Sequence, residues 1–157
     1  MTVTVVPMDP THHSFGQASG MFDEYRSHYG HRPSPEAARA WLHAQLSQQR
    51  LSLAVAVDDL DLVHGFITTT VMPASMMLGT AWSIRDLYVA ERYRRAGVAS
   101  RLLRHAIVQA RAAGAVRVSL HTEPDNAPAL ALYTGAGFEP VDGLTLLNFT
   151  IVTEAGG

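Results

Sequence analysis

The chain has 157 residues, 47% of them apolar and 17% charged. That length and composition suit a single domain, residues 1–157, with a proper core, and disfavour disorder or several domains. Twelve cationic against fourteen acidic side chains leave a formal charge of −2, so no global basic excess exists to drive sequence-independent binding to nucleic-acid phosphates. The absence of cysteine excludes disulfides, thiolate nucleophiles and cysteine-ligated zinc. The first ten residues carry neither a basic stretch nor a long apolar block, and no later segment approaches a membrane-spanning apolar run. A soluble cytoplasmic protein is therefore expected.

Thr2-Val3-Thr4-Val5-Val6 alternates and is closed by Pro7 and Pro10, which predicts a short first strand. Phe15, Ala18, Phe22, Tyr25 and Tyr29 recur at helical spacing, although Gly16 and Gly20 weaken the pattern. Ser34-Pro35-Glu36 is a helix start signal, and a second helix is expected to run to about Gln48. Leu51–Val57 and Leu62–Val71, rich in β-branched residues and separated by Asp58-Asp59-Leu60-Asp61, predict a hairpin. A loop around Pro73 to Met77 leads to a strand over Thr80–Val89 and then to a strong helix. In that helix Val98, Leu102, Leu103, Ala106, Ile107 and Ala110 share one face, and Gly114 ends it. A strand at Val116–Leu120, a short helix at Ala127–Tyr133, and two last strands near Phe138–Val141 and Leu144–Val152 complete the pattern. The order β-α-α-β-β-β-α-β-α-β-β describes one α/β domain on a mixed sheet.

All twelve cations are arginine, and five fall between Arg92 and Arg104. Such crowding points to an anionic ligand, although exposed arginines commonly serve none. The stretch Asp86-Leu87-Tyr88-Val89 followed by Arg94-Arg95-Ala96-Gly97-Val98-Ala99-Ser100 reads as a strand end, a small-residue turn and a helix start. Free amides at a helix N-terminus, with the positive end of the dipole, form a cradle for phosphate oxygens. The turn is neither a Walker loop nor a G-x-G-x-x-G turn, so ATP and NAD lose ground.

Arg94-x-x-Gly97-x-Ala99 resembles the R/Q-x-x-G-x-G/A signature of the GNAT superfamily of N-acetyltransferases. Ile84-x-x-Leu87-x-Val89 upstream, and Asn126-x-x-Ala129 with Leu132-Tyr133-x-x-Ala136-Gly137-Phe138 downstream, resemble the family pattern in order and spacing. The resemblance covers roughly Leu62 to Val152, and Tyr25-Arg26-Ser27-His28-Tyr29-Gly30 is similar to the first-helix region of small polyamine- and amino-compound-acetylating members. It implies a mostly antiparallel twisted sheet of about seven strands with splayed central strands, flanked by about four helices. It also implies acetyl-CoA as cosubstrate. The backbone of Leu87, Tyr88 and Val89 would bond the pantetheine arm, with the Val89 amide polarising the thioester carbonyl. Amides from Arg95 through Ala96, Gly97, Val98 and Ala99 to Ser100 would hold the pyrophosphate, and arginines such as Arg94 would screen its charge. Asn126 would contact the coenzyme's arm and Tyr133 would lie near the sulfur.

Acetyl transfer from a thioester to an amine needs a neutral nucleophile, an oxyanion stabiliser and a proton for the departing thiolate. Alkylamines, with pKa near ~10.4, require assisted deprotonation, whereas a phenol near ~10 can protonate a thiolate if well positioned. Tyr133 is the candidate general acid, or else an aromatic packing the end of a short helix. For the base or substrate anchor the candidates are Asp86, His121, Glu123, Asp23, Glu24 and His28, of which Asp86, at the end of the central strand, is preferred. Arg85 stands where relatives often carry an acid, which leaves water-mediated deprotonation open. His121 has a suitable intrinsic pKa, but a histidine at a strand end is more often a hydrogen-bonded structural residue. Tyr25, Tyr29 and the Pro73–Met77 loop are candidates to line the acceptor side. His12, His13, His28 and His31 make no convincing metal set, and no metal is expected.

The reading is an N-acetyltransferase moving acetyl directly to a primary amine of a small molecule through a ternary complex. A peptide or protein acceptor, a catalytically silent acyl-CoA-binding module and, distantly, an arginine-based nucleic-acid module are the alternatives. No nucleic-acid or membrane partner is expected. Family resemblance makes a homodimer, paired through the terminal strands, a further expectation.

Overall fold

The computed structural model describes residues 2–151. Five strands form one sheet in the order β1-β2-β3-β4-β5: β1 (Thr4–Met8), β2 (Ser52–Val57), β3 (Val63–Ala74), β4 (Gly79–Val89) and β5 (Arg117–Ser119). The first four are antiparallel, and β5 lies parallel to β4. Helices α1 (Phe15–His28) and α2 (Pro35–Ser47) cover one face, and α3 (Val98–Ala112) the other. A fourth helix, α4 (Ala127–Gly135), follows β5. The α/β class, the mixed sheet and the four helices match the sequence reading.

The two faces bury separate clusters. Phe15, Met21, Phe22 and Leu42 pack on Val55, Phe66 and Tyr88 beneath α1 and α2. On the other face Val98, Leu102, Leu103 and Ala106 of α3 pack on Ala54, Ile67, Ile84 and Val89. Leu102 and Leu103 are fully buried, each contributing about 1.5–3 kcal/mol. This packing anchors the start of α3 directly beside the end of β4.

The structure departs from the sequence pattern in three places. Strand β1 runs through Pro7, which pairs with Ala54; an edge strand has one partner only and tolerates a residue without an N–H. Strand β3 extends through Pro73 to Ala74, leaving only a short turn at Ser75–Met77 where a longer loop was expected. The sheet has five strands where about seven were expected, because neither terminal strand forms among the described residues; Val152, the expected end of the last one, lies outside them. Strand β5 is three residues long and pairs only with Ala81–Ser83, so it offers the terminal segment little edge. Val141, Leu144, Leu146, Leu147, Phe149 and Ile151 are all exposed.

Candidate active site

The site begins with a register shift. Thr68 pairs with Asp86, but the next residue of β3, Thr69, pairs with Ile84, so Arg85 is an extra residue in β4. Strand side chains alternate between faces, and one inserted residue reverses the phase. Ile84 and Leu87 consequently both pack on the α3 side, while Asp86 turns to the α1–α2 side. There Asp86 Oδ1 accepts the Tyr25 hydroxyl at 2.8 Å, and Oδ2 accepts the hydroxyl of fully buried Thr68. Burial first, and the Asp86 charge second, push the Tyr25 phenol far above its ordinary pKa, so it remains a donor throughout the neutral range. A carboxylate offers about four acceptor positions, and two are occupied.

Asp86 lines a cavity of about 570 Å³ between α1, α2 and β4, together with Phe22, Tyr25, Arg26, Tyr29 and Trp41. The Trp41 ring stacks on Phe22 at 5.7 Å between centroids, and Tyr29 meets Tyr25 edge-on at 5.3 Å. The structure thus brings Tyr25, Tyr29 and Asp86 together. It leaves His121 exposed beyond β5 and outside this lining. Phe22 and Trp41, read from the sequence as helix stripe, and Thr68, which carried no local signal, join the site through long-range packing and strand register.

Beyond Ser83, β4 has no strand partner on the β5 side among the described residues. Leu87, Tyr88 and Val89 therefore present one backbone edge that no described strand occupies, where an extended ligand could add as a strand. On the other side Gly65 lies opposite Val89, and an added Cβ there would sit 2.5 Å from the Tyr88 carbonyl oxygen. Arg94 folds back: its Nε donates to the Val89 carbonyl at 2.9 Å and its guanidinium lies over the Tyr88 ring. It pins the strand end, whereas charge screening alone was expected of it. Tyr88 in turn donates to Glu24 at 2.9 Å.

The turn into α3 is tight. Arg95 has φ of 63° and Gly97 of 77°, the left-handed region that glycine adopts without strain. The first intrahelical bond runs from the Arg101 N–H to the Gly97 carbonyl at 3.1 Å, so Val98, Ala99 and Ser100 precede it, and among the described residues no side-chain cap closes this end. These amides, with Arg95 and Ala96 leading in, can hold a diphosphate. Behind the turn, the His64 ring stacks on Tyr93 at 3.6 Å and its Nε2 lies 2.7 Å from Asp58 Oδ2. The His64 hydrogen bond, followed by the Leu62 and Leu60 amides, holds the Asp58 carboxyl below its ordinary pKa.

Asn126 Oδ1 accepts the Ala129 N–H at 3.3 Å and caps α4. Tyr133, on that helix, is half-buried with its ring edge-on to Phe138. Burial, then the fields of Tyr29 and Glu123, raise its phenol above the ordinary value. Of the other candidate acids, Asp23 is buried, paired with Arg26 at 2.7 Å, and accepts the Ser34 N–H. It ties α1 to the start of α2. Glu123 and His28 are exposed, and His28 lies against the rings of Tyr29 and Tyr88.

An acetyltransferase (GNAT) family model matches residues 18–138. The chain belongs to that family. It is an acyltransferase enzyme, an acetyl-CoA-dependent N-acetyltransferase. It is 28% identical over 123 residues to the uncharacterized N-acetyltransferase YhfO of Bacillus subtilis, covering 78% of this chain and 82% of that protein. The crystal structure of a probable acetyltransferase superposes with a TM-score of 0.86 at 30% identity, covering 98% of this chain and 100% of the other. AAC(6')-Iy, solved with the bisubstrate analogue CoA-S-monomethyl-acetylneamine, shares the fold with a TM-score of 0.77 at 16% identity, over 96% of this chain and 100% of that one.

Proposed function

We propose that this GNAT enzyme, working as one domain, transfers acetyl from acetyl-CoA to a primary amine of a small molecule, in a ternary complex and without a covalent enzyme intermediate. The observation that carries the reading is the aromatic cavity that closes on Asp86 where β4 loses its β5 partner, so that an amine held by the carboxylate faces the open edge at Leu87–Val89. The pantetheine arm lies along that edge, and the amides of Arg95–Ser100 hold the diphosphate. The ammonium gives one proton to water organised at Asp86; the amine lone pair then attacks the thioester carbonyl, whose oxygen is stabilised by the Val89 N–H. As the C–S bond breaks, the thiolate takes its proton from the Tyr133 hydroxyl, and the second proton, shed by the acylated nitrogen, passes through water to restore the phenol. Asn126 stands beside the coenzyme's arm.

The test is thiol release from acetyl-CoA against amino acids, polyamines, aminoglycosides, arylalkylamines and short peptides. Coenzyme-dependent acetylation of one small amine is expected. Preference for peptides would move the acceptor to that class, and coenzyme binding without turnover on any amine would overturn the reading.

The enzyme acts in the cytoplasm as a homodimer. Six large apolar side chains exposed between Val141 and Ile151 support the dimer, since such a stretch marks an interaction surface. Sedimentation at micromolar concentration should report a dimer; a monomer at every concentration would refute it. Among the described residues no helix is long and apolar enough to cross a membrane.

A further inference from the structure

We infer that the acceptor is a monoamine with a flat apolar body, an arylalkylamine, and that polyamines and aminoglycosides are poor substrates. This rests on the acetyl-transfer reading above and specifies its substrate. The cavity walls carry four aromatic rings, Phe22, Tyr25, Tyr29 and Trp41, and two of them retain large uncovered surfaces: Tyr29 is 59% and Trp41 48% exposed. They sit on different helices, Tyr29 just past the end of α1 and Trp41 within α2. The rest of the aromatic wall is rigid. Phe22 is buried with its ring 2° from parallel to Trp41, and Tyr25 is held by Asp86 and by edge contacts to Tyr29 and Phe66. Surfaces of this kind take an apolar ring by offset or edge-on stacking with little ordering cost.

Charge in the lining is sparse and of both signs. Among the described residues Asp86 is its only carboxylate, whereas Arg26 contributes a guanidinium and His31 an imidazole. Arg26 is already engaged by Asp23, so that buried acid is not free to receive a ligand's ammonium. One ammonium therefore finds one counter-charge. A second or third, as a polyamine or aminoglycoside carries, would be desolvated among aromatic rings and beside a like charge without a partner. The volume, about 570 Å³, falls within the range of sites that enclose a single small ligand.

The experiment is steady-state thiol release from acetyl-CoA with 2-phenylethylamine, tryptamine, hexylamine, spermidine and kanamycin, for the wild type and Trp41→Ala. The arylalkylamines should exceed hexylamine at least tenfold in kcat/KM, and the polycations by a hundredfold or more. Because Trp41 is half exposed, W41A should fold with an unchanged circular dichroism spectrum. Its KM for the arylalkylamines should rise about tenfold, narrowing their advantage over hexylamine, while the Kd for acetyl-CoA by calorimetry stays at the wild-type value. Spermidine or kanamycin matching the arylalkylamines, or W41A leaving the aryl preference intact, overturns this inference and leaves the acetyl-transfer reading standing. Acetyl-CoA binding with no transfer to any amine overturns both.

Discussion

Gly65→Ala tests whether the end of β4 must be held where it is. An added Cβ would meet the Tyr88 carbonyl oxygen at 2.5 Å and the Val89 Cα and Cγ2 at 3.1 Å. The first contact is with backbone and cannot be relieved by a rotamer. Carbon–oxygen contacts between strands settle near ~3.3 Å, so β3 and β4 must separate by roughly 0.8 Å at Tyr88. Overpacking of this sort costs about 1–3 kcal/mol, against about 0.5–1 kcal/mol returned by replacing glycine within a strand. The net loss, about 0–2.5 kcal/mol, corresponds to a fall in Tm of up to about 10 °C for a chain of this size. The same displacement moves the Val89 amide, and misplacement approaching 1 Å can cost about a hundredfold in rate, so kcat should fall about ten- to a hundredfold. Gly20→Ala is the control. Gly20 lies inside α1 with nothing within 4 Å of an added Cβ, so Tm should rise by about 1–4 °C with kcat/KM unchanged. Scanning calorimetry and steady-state kinetics on the two variants decide the matter. A G65A enzyme with wild-type Tm and kcat would refute the argument that this backbone is fixed by close approach.

Tyr133→Phe should lower kcat about a hundredfold, the scale of a lost general acid, with the Kd for acetyl-CoA preserved; wild-type turnover would remove the role. Because burial raises the Tyr133 pKa, the phenol stays protonated where a free tyrosine ionises. No loss of kcat attributable to it should therefore appear below about pH 10, and a wild-type alkaline limb with a lower midpoint that vanishes in Y133F would contradict this. His64→Ala removes the ring stacked on Tyr93, while Asp58 keeps the Leu60 and Leu62 amides. Its KM for acetyl-CoA should rise severalfold with kcat at saturation retained, as read from coenzyme titrations; an unchanged KM would show that the stack does not position the Arg94–Gly97 turn. In the wild type the depressed Asp58 pKa stabilises the fold above the unfolded-state value near ~3.9, a contribution lost as pH falls through the folded value. Acid unfolding of H64A should therefore set in at higher pH than in the wild type.

The chain's own order of residues determined what depends on near neighbours. The amphipathic stripe of α3, the glycine that takes a left-handed turn before it, the start signal at Ser34-Pro35 and the β2–β3 hairpin all follow from spacing and backbone preference, which act within a few residues. The Arg94-x-x-Gly97-x-Ala99 signature was legible for the same reason. Tertiary structure alone decided which groups meet. The extra residue at Arg85 reverses the phase of β4 and so selects the face on which Asp86 emerges. Thr68 reaches Asp86 only through pairing across two strands, and Trp41 enters the site only because α2 packs on α1. Asp23, Glu24 and His121 all stood among the candidates for base or substrate anchor. Packing assigned the first to Arg26 and Ser34 and the second to Tyr88, and left the third exposed. The terminal segment makes the same point: alternating apolar residues record a propensity to be a strand, but a strand exists only where an edge receives its hydrogen bonds, and three-residue β5 supplies almost none.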